Sequence, residues 1–304
     1  MRTFGCWLLI IGLLIGCTAP TTVPAPPDIA KGTDALTIDL RATNPELIMC
    51  QQTDLVATLR NLGTTNIERG LYTFIIEDQV LKPVTGTNRK KLFDLEGRSQ
   101  YNPQGGIEQT TLKVKNTALP PQIETYQTPI ILQACYQYET LASAPICIDP
   151  DVLGKNPAKP CTVAPVSVGG QGAPVAVTRI EPTMAPAGND IRPTFTIYLQ
   201  NLGSGRVVSA PDVESACTTT TTTLNPTVEI AAFLQNRPLR CTQREVRLEQ
   251  GKEARIACES EQTYGPAQGT FSSILEVEIT YGYINTASQS LTINRLPGQE
   301  RCPP

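Results

Sequence analysis

The chain of 304 residues contains no histidine, and its single tryptophan, Trp7, lies in the first few residues. Without an imidazole, Ser-His-Asp and Cys-His catalysis and His-ligated zinc are excluded. Without an indole beyond Trp7, a frequent stacking platform for sugars is missing from the rest of the chain. Lys and Arg form no run longer than Arg89-Lys90-Lys91, and the formal net charge of −3 becomes −4 once Arg2 is removed. A nucleic-acid partner therefore has no electrostatic footprint. There is no Cys-x-x-Cys, no Asn-x-Ser/Thr sequon and no cofactor motif, so neither a metal centre nor N-glycosylation is expected. No segment holds a 3.6-residue apolar period for the length of a helix.

What is present begins with an address. MRTFGCWLLIIGLLIGC joins a short basic start to an apolar run from Phe4 to Ile15, whose last two residues open Leu14-Ile15-Gly16-Cys17. The run is short of the roughly 20 residues that span a bilayer, and it reads as an export signal. Leu-Ile-Gly-Cys resembles the lipobox of prokaryotic lipoproteins, which implies lipidation of Cys17, membrane lipid as a partner, and anchoring at the outer face of the cell membrane. The proline-rich stretch after Cys17 reads as an extended spacer. The expected organisation is a signal peptide over 1–16, a lipidated cysteine and linker over 17–34, a first β-sandwich over 35–156, a linker over 157–173 and a second β-sandwich over 174–304.

Two sandwiches are expected because the chain repeats itself. Tyr126–Ile148 aligns without a gap on Phe271–Ile293, at a constant offset of 145 residues, matching Tyr136 and Tyr138 to Tyr281 and Tyr283. Asn61-Leu62-Gly63 returns as Asn201-Leu202-Gly203 at an offset of 140. Each Asn-x-Gly follows a strand with alternating apolar residues (Leu55, Ala57, Leu59; Phe195, Ile197, Leu199) and supplies turn residues tolerant of unusual φ. Further strands are expected over 36–40, 71–77, 110–115, 175–180, 228–233, 245–248 and 254–258. Many short strands between Gly, Pro and Asn turns argue for an all-β fold of two immunoglobulin-like sandwiches. The Asn-x-Gly strand followed by a Tyr-x-Tyr strand resembles the CARDB and S-layer-associated Ig-like modules of archaeal and bacterial surface proteins. The stretches Leu95–Pro103 and Cys147–Asp151 are similar to lipoprotein-like surface proteins of archaea. That resemblance implies an extracellular β-sandwich module and specifies no ligand.

Eight cysteines remain after Cys6 and Cys17, an even number that reads as a disulfide framework in an exported chain. Tyr126–Ile148 reads as a hairpin centred on Leu141, which would set Cys135 opposite Cys147, with Thr280 and Thr292 as the threonine version in the second copy. Cys241 and Cys258 straddle Glu249-Gln250 in the same way. Elimination leaves Cys50 with Cys161 and Cys217 with Cys302, although four cysteines admit three connectivities.

The carboxylates that remain as chemical candidates are Glu139, Asp149, Asp151, Glu276 and Glu278. Glu276 and Glu278 alternate with apolar residues, as on the solvent face of a strand. Asp149-Pro150-Asp151 offers oxygen ligands to Ca²⁺ but reads better as an Asp-Pro turn. Asn88–Gly106 is a polar segment long enough to project, and Cys217–Pro226 carries the tract Thr218–Thr223, a flexible or O-glycosylated loop. These features predict a non-enzymatic, lipid-anchored surface protein acting as a structural, adhesion or assembly module among other envelope proteins. A carbohydrate- or peptide-binding envelope protein using Asn88–Gly106 is the alternative, and a carboxylate hydrolase ranks last.

Overall fold

The computed structural model of the chain describes residues 29–151, 153–218, 224–299 and 302. The export signal, Cys17 and most of the threonine tract lie outside the described residues. The fold is an all-β sandwich of three sheets. A four-stranded sheet, built from the first half, runs β1 (Leu36–Ala42), β3 (Gln52–Asn61), β7 (Ile107–Asn116), β5 (Leu81–Pro83). A five-stranded sheet from the second half runs β15 (Arg240–Cys241), β17 (Glu253–Glu259), β11 (Asp190–Asn201), β10 (Val175–Ala187), β9 (Val166–Ser167).

The third sheet belongs to both halves. Its path is β14 (Arg237–Pro238), β13 (Thr227–Leu234), β18 (Phe271–Asn294), β8 (Thr125–Ile148), β4 (Ile67–Ile75), β6 (Lys90–Leu95). Three short strands pair off this path: β12 (Arg206–Val208) and β2 (Glu46–Ile48) on β18, and β16 (Glu245–Arg247) on β13. At its centre β8 and β18, each 24 residues long, pair antiparallel over their whole length. Strict alternation explains why one face of this ribbon is buried: Ile130, Leu132, Ala134, Tyr136, Tyr138, Ala142, Ala144 and Ile146 point inward, and so do Leu275, Val277, Ile279, Tyr281 and Tyr283. Buried apolar residues from both halves form one connected core.

The segment expected as a hairpin is thus a single strand. Nothing between Tyr138 and Ala144 can turn the chain, since Glu139-Thr140-Leu141-Ala142-Ser143 offers no Gly, Pro or Asn, and the inward-outward alternation runs through it unbroken. The copy at 271–293 is also one unbroken strand, although its equivalent stretch carries Asn285. The repeat is therefore one long strand written twice, each copy pairing with the other. Gln137 and Gly282 are at once repeat equivalents and register partners, so a local two-fold axis passes between them.

Disulfide connectivity follows from this correction. Cys135 and Cys147 lie on one strand twelve positions apart, roughly 40 Å at the rise of a β-strand, and cannot meet. The bridges are Cys135–Cys217, Cys147–Cys161, Cys50–Cys302 and Cys241–Cys258. The expected pairs Cys50–Cys161 and Cys217–Cys302 fall with the hairpin, because Cys161 is taken by Cys147 at the end of β8 and Cys302 returns to Cys50. Only Cys241–Cys258 joins directly facing residues, with Cα atoms 3.9 Å apart on β15 and β17. Cys135–Cys217 and Cys50–Cys302 cross from one half to the other. Four bridges mark a chain that folds in an oxidising, extracytoplasmic compartment, and among the described residues no helix is long and apolar enough to cross a membrane.

Candidate functional site

The local axis is built from tyrosine. Tyr136, Tyr138, Tyr281 and Tyr283 are buried in a closed ring of contacts, with centroids 5.8 Å apart for Tyr136–Tyr138, 6.1 Å for Tyr136–Tyr283, 6.2 Å for Tyr138–Tyr281 and 6.1 Å for Tyr281–Tyr283. Each hydroxyl has a partner, and the partners repeat. The Thr65 amide donates to Tyr138 at 3.1 Å and the Gly205 amide to Tyr283 at 2.9 Å. The Leu36 amide donates to Tyr136 at 3.2 Å and the Val175 amide to Tyr281 at 3.4 Å. The Asn-x-Gly turns place these donors. Asn61 Oδ1 accepts from the Gly63 amide while its Nδ2 donates to the Thr65 carbonyl, and Asn201 repeats both bonds with Gly203 and Gly205. Desolvation pushes the Tyr138 and Tyr283 hydroxyls up to about 12 and those of Tyr136 and Tyr281 well above the usual phenol value. They are neutral structural anchors, not reactive groups.

The outer face of the ribbon is where the halves differ. Six positions separate Thr65 from Leu71, whereas 24 separate their counterparts Gly205 and Glu229. The extra residues carry α1 (Val213–Thr218), which lies over the axis on Cys135, Ile284 and Leu71 and is fixed there by Cys135–Cys217. A Cβ at Gly282 would meet the Val208 and Val213 side chains at 2.8 Å, so the close approach of this insert requires glycine. The counterparts on the bare side are Thr280 for Cys135, Glu139 for Ile284, Glu229 for Leu71 and Gln137 for Gly282. The apolar set is covered and the polar set faces water, as burial energetics require. The short helix escaped the sequence reading because six residues carry no measurable period.

Two grooves lie on equivalent parts of this outer face. One, about 560 Å³, is lined by Thr73, Ile75, Asp78, Arg89, Lys90, Gln133, Arg206 and α1 residues. The other, about 500 Å³, is lined by Glu229, Ala231, Phe233, Arg240, Arg244, Glu261, Glu278 and Thr280. Glu278 is the repeat equivalent of Gln133.

Glu276 and Glu278 stand exposed on β18, and Glu139 is half-buried on β8. Asp149 and Asp151 enclose Lys159, whose Nζ donates to Asp149 Oδ2 at 2.6 Å and to the Asp151 carbonyl at 3.1 Å. Thr270 also donates to Asp149 at 2.7 Å. For Asp149 burial acts upward, but the Lys159 and Thr270 hydrogen bonds outweigh it and hold the carboxyl below its usual value. Asp151 is lowered by the Asn156 and Lys155 amides, then by Lys159. An ammonium sits where a bound cation would.

Asn88–Gly106 does not project as a loop. Lys90–Leu95 forms β6 against β4, and the remainder folds back on the Asn61 turn, the Arg98 amide donating to the Gly63 carbonyl at 2.7 Å. Among the described residues no three His, Cys, Asp or Glu side chains converge to hold a metal.

No family model matches the chain, and no curated protein matches it. A solved structure, the secreted serine protease VesC from Vibrio cholerae, is similar at 9% identity over 84% of this chain and 51% of that one, with a TM-score of 0.23. This chain spans about half of that protein, and a likeness at that score carries no argument.

Proposed function

We propose that the protein is a lipid-anchored extracytoplasmic surface module of structural or assembly character, held to the membrane through Cys17. The observation that carries the reading is the union of the two halves. A ribbon of 24 paired positions and two disulfides that cross between them make a stiff body, suited to holding a position and a spacing at a surface. The proline-rich segment after Cys17 supplies the stand-off from the bilayer, and a diacylglycerol-type anchor supplies two chains where a single acyl chain binds only marginally. The CARDB-like repeat pattern agrees with a surface role. Metabolic labelling with a radioactive fatty acid, with fractionation of wild type and Cys17→Ala, tests the anchor. Label in the wild type and release of the variant from the membrane fraction are expected. Equal membrane association of both would reject it.

A further inference from the structure

We propose that the groove between β4 and α1 binds an acidic peptide segment. The register of the shared sheet lines up Lys90 on β6, Thr73 on β4 and Gln133 on β8 as direct cross-strand neighbours on the outer face. Thr73 is only 7% exposed, and its hydroxyl has no hydrogen-bond partner among the described residues. A buried hydroxyl without a partner costs stability, so this unmet bond points to a ligand that supplies it. Of the cations at the groove, Arg89 is paired with Asp78, whereas Lys90 and Arg206 have no carboxylate in salt-bridge reach among the described residues.

Ile75, 38% exposed, adds an apolar floor, and the volume of about 560 Å³ is that of a site for a short segment. Two free cations, a hydroxyl, a carboxamide and one apolar contact match a peptide with alternating acidic and apolar side chains. An acidic glycan fits less well, because the one aromatic residue at the groove, Phe74, keeps its ring in the core. The second half supplies an internal comparison. At the equivalent positions Thr73 becomes Ala231 and Gln133 becomes Glu278, so the hydroxyl is gone and a negative charge takes its neighbour's place. The proposal goes beyond the scaffold reading and stands whether or not Cys17 is lipidated.

The test uses the full chain in detergent and a fluorescein-labelled amide-capped peptide, Glu-Leu-Glu-Leu-Glu, with its Gln-Leu-Gln-Leu-Gln analogue and oligogalacturonate as comparators. Saturable binding of the acidic peptide is expected. Lys90→Gln with Arg206→Gln should weaken it at least tenfold, and Thr73→Val severalfold without lowering the melting temperature, since the hydroxyl has no partner to lose. Glu278→Gln on the equivalent face should leave it unchanged. Absence of saturable binding, indifference to the Lys90/Arg206 double variant, or tighter binding of oligogalacturonate than of the peptide would each overturn the proposal.

Discussion

Replacing Gly63 by alanine would test the clasp between the Asn-x-Gly turn and the tyrosine ring. A Cβ at Gly63 would lie 1.9 Å from Tyr138 Oη, 2.7 Å from the Gly172 carbonyl and 2.9 Å from Tyr138 Cζ. Tyr138 has no room to retreat, being packed against Tyr136 and Tyr281. Overpacking of this kind costs about 1–3 kcal/mol. Displacing the hydroxyl also strips the Thr65 amide of its acceptor, at about 1–3 kcal/mol more. Gly63→Ala should therefore destabilise by about 2–6 kcal/mol in urea unfolding at constant m-value. Tyr138→Phe alone should cost about 1–3 kcal/mol through the orphaned amide. Because it also removes the atom that the new methyl strikes, the double variant should be at least about 1 kcal/mol more stable than the two single costs would sum to. Full rescue is not expected, since the Gly172 carbonyl and Tyr138 Cζ remain in the way. A Gly63→Ala effect within about 0.5 kcal/mol of zero, or strict additivity with Tyr138→Phe, would refute the clasp.

Three further outcomes follow from the same geometry. The Cys135→Ser, Cys217→Ser double variant loses a bridge closing a loop of 82-residue separation, and calorimetry should show a loss of about 4.5 kcal/mol at most; an unchanged melting temperature would separate α1 from stability. Because the four ring tyrosines have folded pKa values raised above that of a free phenol, the neutral form is favoured in the fold. Their contribution is intact below about pH 10 and falls as pH rises from 10 toward 12, each group giving up about 1.4 kcal/mol per pH unit in that window. Urea midpoints that stay flat from pH 9 to 11 would contradict this. The lowered carboxyls of Asp149 and Asp151 act in the opposite direction: their contribution is present above about pH 4 and is lost on further acidification. Lys159→Met should remove most of the Asp149 part of that acid limb and leave the amide-held Asp151 part, as followed by thermal melts between pH 2.5 and 5.

Much of the fold was legible in residue patterns. Alternation located the strands to within a few residues, for instance Val228–Phe233 within β13 and Ala254–Cys258 within β17. The offset of 145 held as an alignment of the two copies, whereas their pairing with each other, in which Gln137 faces Gly282, was not in the pattern. What alternation cannot report is where a strand stops. A period of two is the same on both sides of a hairpin turn and along one unbroken strand, and only the lack of turn residues between Tyr138 and Ala144 argues for the latter. From that one reading came the mistaken Cys135–Cys147 pair, whose partners are decided by three-dimensional neighbours: an insert of the other half for Cys135, and the 149–161 return for Cys147. The groove beside α1 was illegible for a related reason, because Lys90, Thr73 and Gln133 meet only through the sheet order β6, β4, β8.

The union of the two halves around one ribbon is tested most directly by mapping the native disulfides, through proteolysis of the unreduced, alkylated chain and mass spectrometry of linked peptides. The account predicts Cys135 with Cys217, Cys50 with Cys302, Cys147 with Cys161 and Cys241 with Cys258. A map in which Cys135 joins Cys147, or in which every bridge stays within its own half, would contradict it.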